Sequence, residues 1–168
     1  MTYNIHPTFV HFPIAFLLLY SLIRVLPVTR WFPRVVWQHI RMTVLVVGVL
    51  GALVASSTGE MAEHLVRPNR QIVEMHALFA GASIWLYVLI AIGEFLPLLM
   101  TMGARFIPTP VVRVLIPLRK VLSNGLSMGV LAVLGAGAIT LTGLLGGVLV
   151  YGVSADPFAA LVLKVLGL

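Results

Sequence analysis

Five histidines and no cysteine define the chemistry open to this chain. Two of them, His6 and His11, sit in the segment His6-Pro7-Thr8-Phe9-Val10-His11-Phe12-Pro13, which runs straight into an apolar stretch beginning at Ile14. A third, His76, stands near the start of another such stretch. Two neutral imidazoles on different helices of a bundle, facing across an apolar slot, are what a b-type haem needs as axial ligands. His11 and His76 are the expected pair. Thr58, Thr142, Glu60 and the Phe9 carbonyl are candidate acceptors to orient their rings. His6, just outside the first helix, is expected to cap it or to support the ligands. A simpler expectation makes His11 and His76 interfacial residues hydrogen-bonded to Thr58, Thr142 or each other.

A metal ion offers a further reading. Glu60 and His64 are four residues apart with Glu63 between them, so a helix continuing past Thr58 would align them on one face. His6, Glu74 and His76 would complete a mixed nitrogen and oxygen site for zinc, iron or copper. A carboxylate beside a histidine there would also serve as a general base, although no motif names a substrate or a catalytic residue. Without cysteine, disulfides, iron–sulfur clusters and thiolate-bound metals are excluded for this chain. The remaining charges inside apolar runs are Arg24 and Glu94. An ion pair of Glu94 with Arg24 or Arg41 is the expected arrangement, since a buried charge in a membrane seeks a partner. His39 has no partner histidine at its end of the bundle.

The elements that must position these groups follow from composition. The chain has 168 residues, 60% hydrophobic and only 10% charged. Four runs reach the ~20 apolar residues that a helix needs to cross a bilayer. The expected fold is an all-α integral membrane four-helix bundle forming one domain, with helices at about 7–27, 40–58, 70–99 and 126–151. Pro7 suits a first helical position, where its missing N–H costs nothing. Pro13 then leaves the Phe9 carbonyl without its helical donor. Asn69 is a natural cap for the third helix. Residues 111–122 place Arg113 and Lys120 on one face, as expected of a segment lying on anionic lipid and kinked at Pro117. A short apolar segment, 157–168, opens at Asp156-Pro157 and is too short to cross; it is expected to lie on or against the bundle. No cleavable signal is expected, because a basic leader and a small-residue cleavage site are both lacking.

Basic residues set the expected orientation. Arg30, Arg34, Arg41, Arg105, Arg113, Arg119 and Lys120 follow the first and third helices, against Arg67, Arg70 and Lys164 on the other side. Both termini, and with them His6, His11, His64 and His76, are therefore expected on the outer, periplasmic side of a bacterial inner membrane. The net charge of +6 thus reflects topology and lipid contact, with no nucleic-acid partner expected. An internal repeat is also visible: Leu19-Tyr20-Ser21-Leu22-Ile23 parallels Leu86-Tyr87-Val88-Leu89-Ile90, and Thr58-Gly59 parallels Thr142-Gly143. Two like-oriented hairpins related by a pseudo-two-fold along the membrane normal are expected. Such an axis would place His11 and His76 at matching depths.

At these residues the chain resembles a bacterial membrane family, the domain of unknown function numbered 2231. The resemblance rests on the opening motif His6 to Ile14, on Thr58-Gly59, on His76, and on Thr142, Gly143, Gly146, Gly147, Leu149, Val150 and Tyr151. It covers nearly the whole chain. The family often carries polar residues where this chain has Leu144, Leu145, Val148, Gly152 and Val153. The resemblance implies a small four-helix membrane protein linked to respiratory or redox systems, without an assigned activity. The expected function is an electron-transfer or redox-associated subunit with one haem b near the outer face. The competing expectation is a non-catalytic accessory subunit packed within a larger membrane complex.

Overall fold

A computed structural model describes residues 6–63, 69–103 and 108–168. Four long helices carry the fold: α1 (His6–Val25), α3 (Trp37–Glu63), α4 (Arg70–Met102) and α6 (Gly125–Tyr151). Each is long and apolar enough to cross a membrane, and the chain is a multi-pass membrane protein. Between them lie a single turn, α2 (Val28–Trp31), and the amphipathic α5 (Thr109–Leu122); α7 (Ala159–Leu166) closes the chain. The expected boundaries hold to within a few residues, except that α3 runs on past Thr58 through Glu63.

The bundle is a closed ring. α1 pairs with α3 and α4 with α6, and the two hairpins meet through α1 against α6 and α3 against α4. α1 and α4 are therefore diagonal, as two like-oriented hairpins about a central axis require. The core between them is built from Leu17, Tyr20, Leu45, Tyr87, Ile90, Met128 and Ala132, with Ile14 packed at its edge. Small residues set how closely the helices approach. A Cβ on Gly48 would lie 2.5 Å from Leu17 Cδ2, and one on Gly135 3.0 Å from the Tyr87 ring.

Prolines inside the helices have legible consequences. Pro97 cannot donate to the Gly93 carbonyl one turn earlier, and Ser123 Oγ donates to that carbonyl instead, at 3.0 Å. Gly93 itself lets the end of α5 approach, since a Cβ there would stand 2.7 Å from the Leu122 carbonyl oxygen. Asn69 and Asn124 cap α4 and α6 by accepting from the Gln71 and Leu126 amides. Beyond α6, Gly152 adopts φ +80°, a conformation that glycine takes without steric cost. The chain then turns back, Asp156 Oδ1 accepts the Phe158 amide at 2.7 Å, and α7 packs against the bundle. A second apolar cluster forms there from Leu145, Val148, Ala159 and Leu163, with Ile72, Met75 and Phe79 of α4 against it.

Candidate functional site

Helical phase decides which histidines enter the bundle. Tyr20 and Tyr87 are fully buried on the diagonal helices, with ring centroids 6.4 Å apart in an edge-to-face arrangement. They mark the inward faces of α1 and α4. His76 precedes Tyr87 by eleven residues, which at 100° per residue puts it about 20° from that face. His11 precedes Tyr20 by nine, about 180° away, whereas His6 precedes it by fourteen and returns to within about 40°. The structure follows this phase: His11 is exposed, while His6 and His76 are half-buried. The expected pairing of His11 with His76 is not what this phase gives: His11 points off the bundle, and His6 is the α1 histidine on the inward side, as His76 is on α4. The nine- and fourteen-residue spacings to Tyr20 carry this distinction in the sequence.

Both rings are held the same way. His76 Nδ1 lies 2.9 Å from the Thr142 carbonyl oxygen. A carbonyl only accepts, so Nδ1 carries the proton and Nε2 the lone pair. His6 Nδ1 lies 3.0 Å from Thr58 Oγ1. The Thr58 hydroxyl itself donates to the Ala55 carbonyl at 2.9 Å, so its oxygen accepts from His6, and the same tautomer results. Each ring rests on a glycine: a Cβ would stand 3.2 Å from His6 Cε1 at Gly59 and 3.2 Å from His76 Cε1 at Gly146. Thr58 thus accepts from His6, not from His11 as expected, and Thr142 accepts from His76 through its main chain while its hydroxyl donates to Ala138. Measured from the tyrosines, His6 lies about 21 Å along its helix and His76 about 16.5 Å, so the two differ in depth by about one turn.

The alternative metal cluster lies partly outside the described residues. Glu60 is exposed on α3, Glu74 is exposed and paired with Arg70 at 2.8 Å, and His64 lies outside the described residues. Among the described residues no group of three or more histidines and carboxylates is placed to hold a metal ion.

At the opposite end the buried charges form a single cluster. Glu94 Oε1 accepts from Tyr20 Oη at 2.9 Å and from Arg41 Nε at 3.3 Å, with Arg24 Nη1 at 3.7 Å. The expected ion pair is therefore shared between both arginines, and Tyr20 ties it to the core. One layer nearer the bundle centre, Tyr87 Oη donates to the Leu17 carbonyl at 3.0 Å and Ser21 Oγ donates to the Ala132 carbonyl at 3.0 Å, the two oxygens lying 2.8 Å apart. Hydroxyls on α1 and α4 thus bind three helices together across the middle of the fold. The sequence alone does not reveal the roles of Tyr20, Ser21 and Ser123, which depend on which carbonyl or carboxylate lies opposite. No protein-family model, curated protein or solved structure matches this chain.

Proposed function

We propose that this chain is a redox-associated subunit of a bacterial membrane that carries one b-type haem at its histidine end, with His6 and His76 as the axial pair. The observation behind this reading is the common mounting of the two imidazoles. They come from diagonal helices, each donates through Nδ1 to a threonine, and each therefore directs its ligating lone pair from Nε2. A histidine that binds a metal almost always donates its other ring N–H to a fixed acceptor, which sets tautomer and orientation.

The surroundings fit such a group. Gly59 and Gly146 leave flat faces where a side chain would press on the rings. The central core on α1 begins only at Ile14 and Leu17, and on the His76 side the second apolar cluster supplies Ile72, Met75 and Phe79. A haem held there would supply a one-electron carrier close to the membrane surface. The chain's own part is to hold the ligands, fix their tautomers through Thr58 and Thr142, and shield the site with apolar helix. Motif resemblance to a family linked with redox systems points the same way.

The test is optical. Protein expressed with an adequate haem supply and purified in detergent should give a reduced-minus-oxidised spectrum of a bis-histidine b-type haem. His6→Ala and His76→Ala should each abolish it, whereas His11→Ala should leave it intact. A folded but colourless wild-type protein would overturn the proposal and favour the accessory-subunit role. Loss of the signal in His11→Ala with retention in His6→Ala would overturn the ligand assignment.

A further inference from the structure

The arginine end of the bundle holds more positive charge than its single carboxylate can balance. A cavity of about 440 Å³ opens there, lined by Arg24, Arg41, Gln38, Glu94, Thr101 and Ser123 among its polar groups. The arginine side chains are 17% exposed and the Glu94 side chain 8%. Two guanidinium groups therefore share one carboxylate in a largely dehydrated setting. Both approach the same oxygen, Oε1, Arg41 through Nε and Arg24 only at ion-pair distance. Their remaining N–H groups are not sealed in the protein, because among the described residues no fully buried side-chain nitrogen or oxygen lacks a partner. Those donors open onto the cavity.

A second cavity, of about 350 Å³, adjoins the first through Ser123 and lies beside α5, with Arg119, Lys120 and Ile116 along it. Arg119 and Lys120 thus line a neighbouring recess that shares Ser123 with the one holding Arg24, Arg41 and Glu94. The apolar wall faces outwards: Leu98 lines the first cavity, Ile116 the second, and both are exposed large hydrophobic residues. Depth agrees as well. Glu94 lies about 12 Å beyond the midpoint of α4 by helical rise, just inside the edge of a hydrocarbon core about 30 Å thick.

From this geometry we infer that the recess is a binding site for the phosphate of an anionic phospholipid headgroup, with the acyl chains lying along the Leu98 and Ile116 side. The phosphate supplies the negative charge that Glu94 alone leaves unmatched, and guanidinium forks suit its oxygens. Basic pockets between transmembrane helices are a recurrent setting for anionic headgroups. This site is separate from the histidine end and does not depend on the haem proposal.

The test uses delipidated full-length protein titrated with short-chain phosphatidylglycerol, phosphatidylcholine or inorganic phosphate. Native mass spectrometry reads binding and thermal unfolding reads stabilisation. Phosphatidylglycerol should bind at least tenfold more tightly than phosphatidylcholine, and Arg24→Gln and Arg41→Gln should each remove most of that preference. Glu94→Gln, which withdraws the competing carboxylate, should strengthen phosphatidylglycerol binding several-fold, so the test survives if either arginine variant fails to fold. Equal binding of the two lipids, or unchanged or weaker phosphatidylglycerol binding in Glu94→Gln, would overturn the proposal. Protection by inorganic phosphate equal to that by phosphatidylglycerol would overturn the assignment to a lipid.

Discussion

The hydroxyl pair at the centre of the bundle allows a prediction in which counting protons gives the sign and size of a coupling. Ser21 Oγ and Tyr87 Oη make three contacts: to each other at 2.8 Å, to the Ala132 carbonyl at 3.0 Å and to the Leu17 carbonyl at 3.0 Å. Two hydroxyls own only two protons, so only two of the three contacts can be hydrogen bonds at any instant. Tyr87→Phe leaves Ser21 its bond to Ala132, and Ser21→Ala leaves Tyr87 its bond to Leu17. Each variant therefore loses one bond, worth about 1 kcal/mol at a buried site. The double variant loses two, about 2 kcal/mol, so the interaction energy of the cycle is close to zero. Choice among three proton arrangements in the wild type adds at most RT ln 3, about 0.7 kcal/mol. Three simultaneous bonds would behave differently. Each single variant would then lose two bonds and the double variant three, a coupling of about 1 kcal/mol. Equilibrium unfolding in mixed micelles, measured for the wild type and three variants, distinguishes these cases. A coupling of 1 kcal/mol or more would refute the proton count.

Close helix approach gives a paired test in detergent unfolding. Gly48→Ala and Gly135→Ala should each destabilise by about 1–3 kcal/mol through overpacking, because Leu17 and Tyr87 are fully buried; Gly137→Ala, with nothing within 4 Å of its Cβ, should be neutral or stabilise by up to about 1 kcal/mol. Ser123→Ala removes the donor that replaces the helical amide lost at Pro97, and should cost about 1–3 kcal/mol in the same assay. Glu94→Ala strips the shared carboxylate from two largely buried arginines and should cost about 3–5 kcal/mol, seen as a large fall in thermal aggregation temperature; Glu60→Ala on the exposed face of α3 should change stability by no more than about 0.5 kcal/mol.

Legibility differed sharply between kinds of residue. Spans, caps and the short closing helix follow from local rules, and Asn69 and Asp156-Pro157 both stand where those rules place them. Glu94 was legible as a charge in need of a partner, but not as one carboxylate divided between Arg24 and Arg41 with Tyr20 as a third donor. Each of those three groups comes from a different turn or helix, and no spacing along the chain relates them to Glu94. The histidines fall between the two cases. Residue type and the repeat both single out His11, yet nine residues before Tyr20 is the far side of a helix. His6 is expected just outside the first helix, whereas α1 includes it and turns it towards Thr58.

By itself the sequence determined that this is a multi-pass bundle of four membrane-length helices in two similar hairpins. Hydrocarbon thickness and the need to satisfy every backbone amide leave an apolar chain of this pattern few alternatives. It also determined, through residues per turn, which histidines could share a face with the buried tyrosines. Tertiary structure alone decided that those faces meet across a diagonal, that Ser123 serves the carbonyl left open by Pro97, and that two arginines converge on one carboxylate beside an open recess. Such contacts join residues tens of positions apart, and only the packing of one helix against another brings them within hydrogen-bonding distance.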